Sequence, residues 1–403
     1  MRQPTAPPPQ QVLDAVNQVG IRGKDCSAEA LKFGCTLVTP MYGGGTEAGM
    51  VDLEMPIRAS AIRGHLRFWW RLLFGLHKHH GELFGEEAAI WGGVGSDSAK
   101  ASKVGIRVDG PPVQKIRDFV SSKDEQSPAI KYAFGSAAIN GDAQWLKPEY
   151  AFDLVVNLSP KLNTTQREQV MTCLRWWASF GGLGARSRRG FGAIKVDGLD
   201  PVTGREVKHH GAVLALMNDV SQNPDVEWKK AVGCLQKFRQ GSGFARTEGH
   251  PRPGRSFWPE PDQMRRFTKK DAFGKHSPVH PAGNVFPRAA FGLPITFEFP
   301  GSPSNGEPQK TELHPAGETD RMASPLILRP YWDGVQWRAA ALLIPGWRNA
   351  LNQNLKFKDK QFQPQPWPSD PAKQVELAGM IKPMKGRGSD PLSAFMTYFA
   401  EES

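Results

Sequence analysis

The chain has 403 residues, 39% of them hydrophobic and 23% charged, with 51 Lys+Arg against 40 Asp+Glu for a net charge of +11. That length suits two domains of ordinary size, and the basic excess points to a polyanionic partner. No run approaches the roughly 20 apolar residues that span a bilayer, Met1 is not followed by the apolar region of a secretory signal, and the basic clusters sit in Gly/Trp motifs rather than in one amphipathic tail, so no membrane partner is expected.

Residues 1–24 read as a disordered, Pro-rich lead. Leu31–Thr39 is a strand candidate that runs into Pro40 and the Gly43-Gly44-Gly45 loop. A helix over Ser60–Phe74 follows, with Ile62, Leu66, Trp69, Trp70 and Leu73 forming an apolar stripe. Arg63, Arg67 and Arg71 stack at i, i+4 and i+8 on another face, and no carboxylate occurs between Arg58 and Arg71. Like charges stacked this way repel, so they are expected to serve as phosphate contacts or to back such contacts; the other reading is a solvated basic face. Arg58 and Ser60 are expected to fix the entry to the helix.

Glu82–Ile90 reads as a second short helix, Val104–Val108 and Phe152–Leu158 as strands, and 110–150 as an insertion between them. A helix over Thr165–Phe180 opens with a candidate capping box, Thr165 with Glu168, and stops at Gly181-Gly182. In the loop beyond, Gly182, Gly184, Arg186, Arg188 and Arg189 have the makings of an anion cradle: glycines admit backbone N–H groups close to an anion, and guanidinium groups add charge-assisted hydrogen bonds. The alternative is a flexible Gly/Arg loop without a ligand. In either case it is expected to contribute little core burial. Neither a dinucleotide fingerprint nor a P-loop is present. Phe191–Val196 closes a β-α-β-β-α-β order, which suits a ferredoxin-like sheet with one face left for RNA.

From Gly204 on, Gly211–Val220 and Val226–Arg239 look helical. Between Lys229 and Lys275 twelve Lys/Arg face four Asp/Glu, interleaved with Phe238, Phe244, Phe257, Trp258, Phe267 and Phe273. Such aromatics either stack bases of a single strand or anchor an irregular segment to the core. Pro294–Phe299, Pro325–Pro330 and Trp337–Ile344 are strand candidates, and Asp390–Glu401 a final helix.

No catalytic or cofactor motif appears. Cys26, Cys35, Cys173 and Cys234 are widely spaced, which predicts reduced thiols in the cytoplasm and no zinc site. His77, His79 and His80, the pair His209-His210, and Glu47, Asp52 and Glu54 read as surface residues. His65, embedded in a helix among arginines, is better suited to donating to a phosphate or to packing than to acting as a general base.

The blocks TPMYGGG (39–45), PIRASAIRGHLRFWWR (56–71), ELFG with AIWGG (82–93) and GGLGARSRRGFG (181–192) resemble the RAMP superfamily of CRISPR-associated proteins, and within it the first-subunit family of type III-B (Cmr) RNA-targeting effector complexes. FPRAAFGLPITFEF (286–299) and RMASPLILRPYW (321–332) extend the resemblance. It implies an α+β chain of two tandem ferredoxin-like (RRM-like) RAMP domains with insertions, here 25–203 and 204–403. It also implies a non-catalytic, cofactor-free RNA-binding subunit in antiviral defence. Its partners would be CRISPR guide RNA near the 3′ part, target RNA and other RAMP subunits of the Cmr complex. A RAMP-type endoribonuclease and a single-stranded nucleic-acid-binding module outside CRISPR remain as alternatives.

Overall fold

A computed structural model of the chain describes residues 28–47, 49–95, 99–113, 119–121, 127–135, 144–249, 254–270, 276, 278–299, 304–357, 360–361 and 366–402. The expected Pro-rich lead, Cys26 and Phe273 lie outside them.

Strand β1 (Glu29–Leu37) leads through β2 (Met41–Tyr42) into helix α1 (Ala59–Phe74); α2 (His80–Trp91) and β3 (Val104–Asp109) follow. The insertion supplies β4 (Phe119–Ser121), α3 (Pro128–Phe134) and β5 (Gln144–Leu146). Then come β6 (Ala151–Leu158), α4 (Thr164–Phe180) and β7 (Ile194–Val196). The main sheet is antiparallel in the order β3-β6-β1-β7, with Cys35 opposite Phe152 and Leu37 opposite Ile194. Alternation sends Phe33, Cys35, Leu37, Leu154 and Val156 to one face, where Ile62, Leu66, Trp69 and Trp70 of α1 and Cys173, Leu174, Trp176 and Trp177 of α4 cover them. The opposite face does not suit base stacking. Its strand residues include no aromatic ring, and its cations are paired: Lys32 with Asp153 at 2.8 Å, Arg107 with Asp109 at 2.9 Å, Lys195 with Asp197 at 3.9 Å.

The capping box of α4 lies two residues earlier than expected. Asn163 Oδ1 accepts the Gln166 N–H at 2.8 Å, and Gln166 Oε1 accepts the Asn163 N–H at 3.3 Å, which starts the helix at Thr164.

In the second half α5 (Gly204–His209) precedes β8 (Val213–Ser221), α6 (Pro224–Gln240) and α7 (Glu260–Phe267). The expected helix over Gly211–Val220 is therefore a strand. Leu214 and Leu216 pack on the first-half core while Ala215 and Met217 pack on the other side, so both faces are apolar and the period of two is hidden. β9 (Ile295–Phe297) and β10 (Thr311–Pro315) follow, then β11 (Leu326–Trp332), β12 (Trp337–Leu343), β13 (Leu355–Phe357), β14 (Lys360–Gln361), α8 (Pro371–Met380) and α9 (Pro391–Glu401). One antiparallel sheet runs β8-β12-β11, another β9-β10-β13-β14.

The two halves interleave. Ile327, Tyr331, Ala340 and Leu342 on one face of the β8-β12-β11 sheet join the first-half core, where Tyr331 stacks on Phe180 with centroids 5.7 Å apart. Leu326, Leu328, Ala339 and Ala341 on the other face join a second core with α6 and α9. That second core also takes Ile130, Phe134 and Trp145 from the first-half insertion. The aromatics of the basic stretch serve it too. Phe238 and Trp258 are buried there and Phe244 stacks on Tyr398 at 4.7 Å, while Phe267 stacks on Phe286 beside a smaller core. Phe257 is half-buried, 4.4 Å under Lys382 Nζ. Most of these rings are core anchors and are not free for bases.

Among the described residues no helix is long and apolar enough to cross a membrane. Cys35, Cys173 and Cys234 are buried free thiols, and burial pushes Cys35 up to about 12.

Candidate nucleic-acid interface

The two sequence motifs meet in space. Tyr42 and Ala185 form an isolated β-bridge, with the Ala185 N–H donating to the Tyr42 carbonyl at 2.6 Å. A Cβ on Gly44 would lie 3.6 Å from the Gly184 Cα. Arg58, the residue before α1, donates to the carbonyls of Gly44 and Gly45, the latter at 3.1 Å, and so folds the glycine loop against the helix start. Ser60 is exposed in the first turn, which contains no acidic residue. The N-terminus of α1 and the 184–185 part of loop 182–189 thus both pack against the 42–45 segment, which brings the positive end of a 16-residue helix into the neighbourhood of the Gly/Arg loop.

The arginine stripe lies elsewhere. Residues two apart on a helix are about 200° apart, so Arg67 points away from His65. Arg67 Nε donates to Glu87 Oε1 at 2.6 Å, and Arg71 Nε donates to Glu87 Oε2 at 2.8 Å. Glu87, on α2, is 1% exposed. Arg63 donates to the Trp91 carbonyl, and burial, then the neighbouring Arg67 charge, lowers its pKa. The stripe therefore braces α1 against α2, and its mutual repulsion is relieved by one buried carboxylate on the neighbouring helix.

Loop 182–189 is not a loose cradle. Arg189, whose surroundings lower it to about 10 chiefly by burial, reaches the Phe291 carbonyl at 3.3 Å and the Leu326 carbonyl at 3.5 Å. Arg188 donates to the Ser324 carbonyl and lies 5.5 Å from the Phe68 ring centre. Arg186, in the left-handed region at φ +59°, reaches the Ala133 carbonyl at 3.4 Å. The glycines are required by the protein's own packing: a Cβ on Gly184 would meet the Tyr42 carbonyl oxygen at 2.4 Å, and one on Gly182 would meet the Phe191 carbonyl oxygen at 2.9 Å. The expectation of little core burial fails here, because the loop seals the junction between the halves.

Three residues that the sequence did not single out complete that seal. Buried Thr39 Oγ1 donates to the Gly190 carbonyl at 2.6 Å and accepts the Ala193 N–H at 2.8 Å. Arg329, lowered to about 9 by burial, donates to the Ile194 carbonyl at 2.9 Å and to the Gly181 carbonyl at the C-terminal end of α4, where a cation suits the helix dipole. The Trp228 indole donates to the Arg189 carbonyl at 2.7 Å. All are long-range contacts without a local sequence signal.

His65 sits half-buried, with burial lowering its pKa and no hydrogen-bond partner among the described residues. His77, His79 and His80 are exposed, and among the described residues no group of three His, Cys, Asp or Glu side chains is placed to hold a metal ion.

Residues 35–195, which carry both motifs, match the model of the RAMP superfamily. No curated protein sequence matches the chain. Among solved structures, the apo form of Cmr1 from Pyrococcus furiosus is similar at 16% identity and a TM-score of 0.44, over 78% of this chain and 88% of that one. A chain of a type III-B Cmr-beta complex bound to cognate target RNA is similar at 12% identity and a TM-score of 0.44, over 93% and 99%. A chain of a type IV-B CRISPR complex is similar at 13% identity and a TM-score of 0.31, over 43% and 94%.

Proposed function

We propose that this chain, which resembles the RAMP-superfamily CRISPR-associated proteins, is a non-catalytic RNA-binding subunit of a type III-B (Cmr) effector complex. In this reading it works in the cytoplasm in antiviral defence. It grips guide RNA near the 3′ part, target RNA, or both, and docks on other RAMP subunits. The observation that carries the reading is the match over 35–195, within which the helix start and loop 182–189 both pack on the 42–45 segment. Two tandem ferredoxin-like RAMP domains, 25–203 and 204–403, belong to the same proposal. They are supported by the β3-β6-β1-β7 order of the first half and by the β-α-β-β-α order around β8, α6, β11, β12 and α9 in the second.

In this reading Arg58, Ser60 and Arg186 are the RNA-facing set, and Gly182 and Gly184 shape the loop by close packing on Phe191 and Tyr42. Arg63, Arg67 and Arg71 back α1, and Arg188 and Arg189 tie the loop to the second half.

Purification of the tagged chain from its native cell, with mass spectrometry and small-RNA sequencing, is expected to return CRISPR RNAs and RAMP subunits. In vitro, phosphate neutralisation by Arg58 and Arg186 gives a log–log salt slope of about −1.4 with single-stranded RNA. A slope near zero, together with recovery of no RNA from the cell, overturns the reading. RNA cleavage by the wild type that disappears in His65→Ala replaces it with the endoribonuclease alternative.

A further inference from the structure

A pocket of about 180 Å³ lies at the junction of the halves, between α1, the C-terminal end of α4, loop 182–188 and β11. Its floor is apolar and rigid: Trp69 and Phe180 are each 1% exposed and Ile327 is 5% exposed. Its rim is half-exposed and carries the polar groups, His65, Ser187 and Arg188, beside the ring of Phe68.

Three features fit one kind of guest. The walls are flat rings, Phe68 and Trp69 meeting edge to face at 5.4 Å. The Arg188 guanidinium is held at the rim by its bond to the Ser324 carbonyl, offering a planar cation near the Phe68 face. His65 has no hydrogen-bond partner among the described residues and burial disfavours its charged form, so the neutral ring offers one donor and one acceptor to a guest. Aromatic faces, a guanidinium plane and a mixed donor–acceptor edge are the means by which proteins hold unstacked bases. A phosphate alone would leave the rings unused, and an aliphatic guest would leave His65 unpaired.

We propose that this pocket receives one splayed-out nucleobase of a bound RNA single strand, its ring against Phe68 and Arg188 and its edge read by His65. The proposal rests on the RNA-binding reading above and names a subsite within it. It also gives Arg188 a second task besides anchoring the loop.

The test compares the full chain's affinity for two strands of equal length, a uridine oligomer and its abasic ribose-phosphate counterpart, by fluorescence anisotropy. One stacked base is worth about 10- to 100-fold, and the wild type is expected to show a gap of that size. Phe68→Ala should narrow the gap to within about threefold while leaving affinity for the abasic strand unchanged. Phe68→Leu, which keeps apolar volume without a ring face, should do the same with a wild-type melting temperature. His65→Phe should retain the gap but bring the affinities for adenine, cytosine and uracil oligomers within about twofold of one another.

Binding of both strands with no gap, or a gap that survives both Phe68 variants, overturns the pocket and leaves the RNA-binding reading standing. An unchanged spread among bases in His65→Phe overturns the edge-reading role. Saturable displacement by free uridine monophosphate makes it a free-nucleotide site and overturns the strand-bound form. Failure of either strand to bind overturns both readings.

Discussion

Replacing Glu87 with Gln tests whether the arginine stripe is a brace. The carboxylate is 1% exposed and takes Arg67 at 2.6 Å and Arg71 at 2.7 Å. Removing one partner of a buried ion pair costs about 3–5 kcal/mol when the other charge stays buried. Here the two guanidinium groups are 32% and 53% exposed and rehydrate when released. The loss is therefore smaller, about 2–3 kcal/mol. For a domain of this size that lowers the melting temperature by about 5–10 °C. Calorimetry on Glu87→Gln, Arg67→Met and the double variant gives the coupling directly, expected at about 1 kcal/mol or more. RNA affinity of the folded variant at fixed salt should change less than about twofold, since the freed arginines face α2 and not the Gly/Arg loop. A melting temperature within a degree of wild type, or a tenfold gain in RNA affinity, would refute the brace and return Arg67 and Arg71 to phosphate binding.

Trp70→Ala should cost about 3–5 kcal/mol, because the ring is fully buried and its N–H donates to Gln169 Oε1 at 2.9 Å; chemical denaturation measures this, and a loss below 1 kcal/mol would misplace the ring. Arg189→Ala should destabilise by about 2–4 kcal/mol by leaving the Phe291 and Leu326 carbonyls without their donor; an unchanged melting temperature would make the loop the loose cradle the sequence suggested. Glu206 is held down at about 2 from the usual 4.5, first by its hydrogen bond from Arg175, so its stabilising effect is complete above pH 4.5 and fades as pH falls through 2. Wild type and Glu206→Gln should accordingly differ in melting temperature at pH 6 and converge near pH 2, and a difference that persists into acid would contradict that assignment.

Legibility followed the range of the interactions. α1 was readable because Ile62, Leu66, Trp69 and Trp70 repeat at helical spacing and all turn inward. What its arginines touch was not, because Glu87 stands next to Glu86 in a helix with a weak stripe. Only docking decides that Glu86 meets Lys78 at the surface while Glu87 turns inward. The first-half strands alternate and were found; β8 is apolar on both sides and was mistaken for a helix. The glycines of 182–192 correctly marked close approach, but the partner is the chain itself. A Cβ on Gly192 would fall 1.9 Å from the Leu183 carbonyl oxygen, and no sequence pattern distinguishes that from approach to a ligand.

The interleaved cores set a timetable for the chain as it leaves the ribosome. Phe134 and Trp145 are made early and pack on each other and on Phe191, but the core they belong to is completed by Trp228, Phe291 and Leu328, which lie beyond residue 204. At ordinary elongation rates of about 5–20 residues per second, the remaining 200 residues take about 10–40 s to appear. Through that interval the nascent first half carries a small aromatic cluster without the second-half residues that complete its core. Chaperone engagement should therefore peak on chains that have passed the first closing strand but not yet delivered β11, and a ribosome stalled there would hold a species prone to clump with its neighbours.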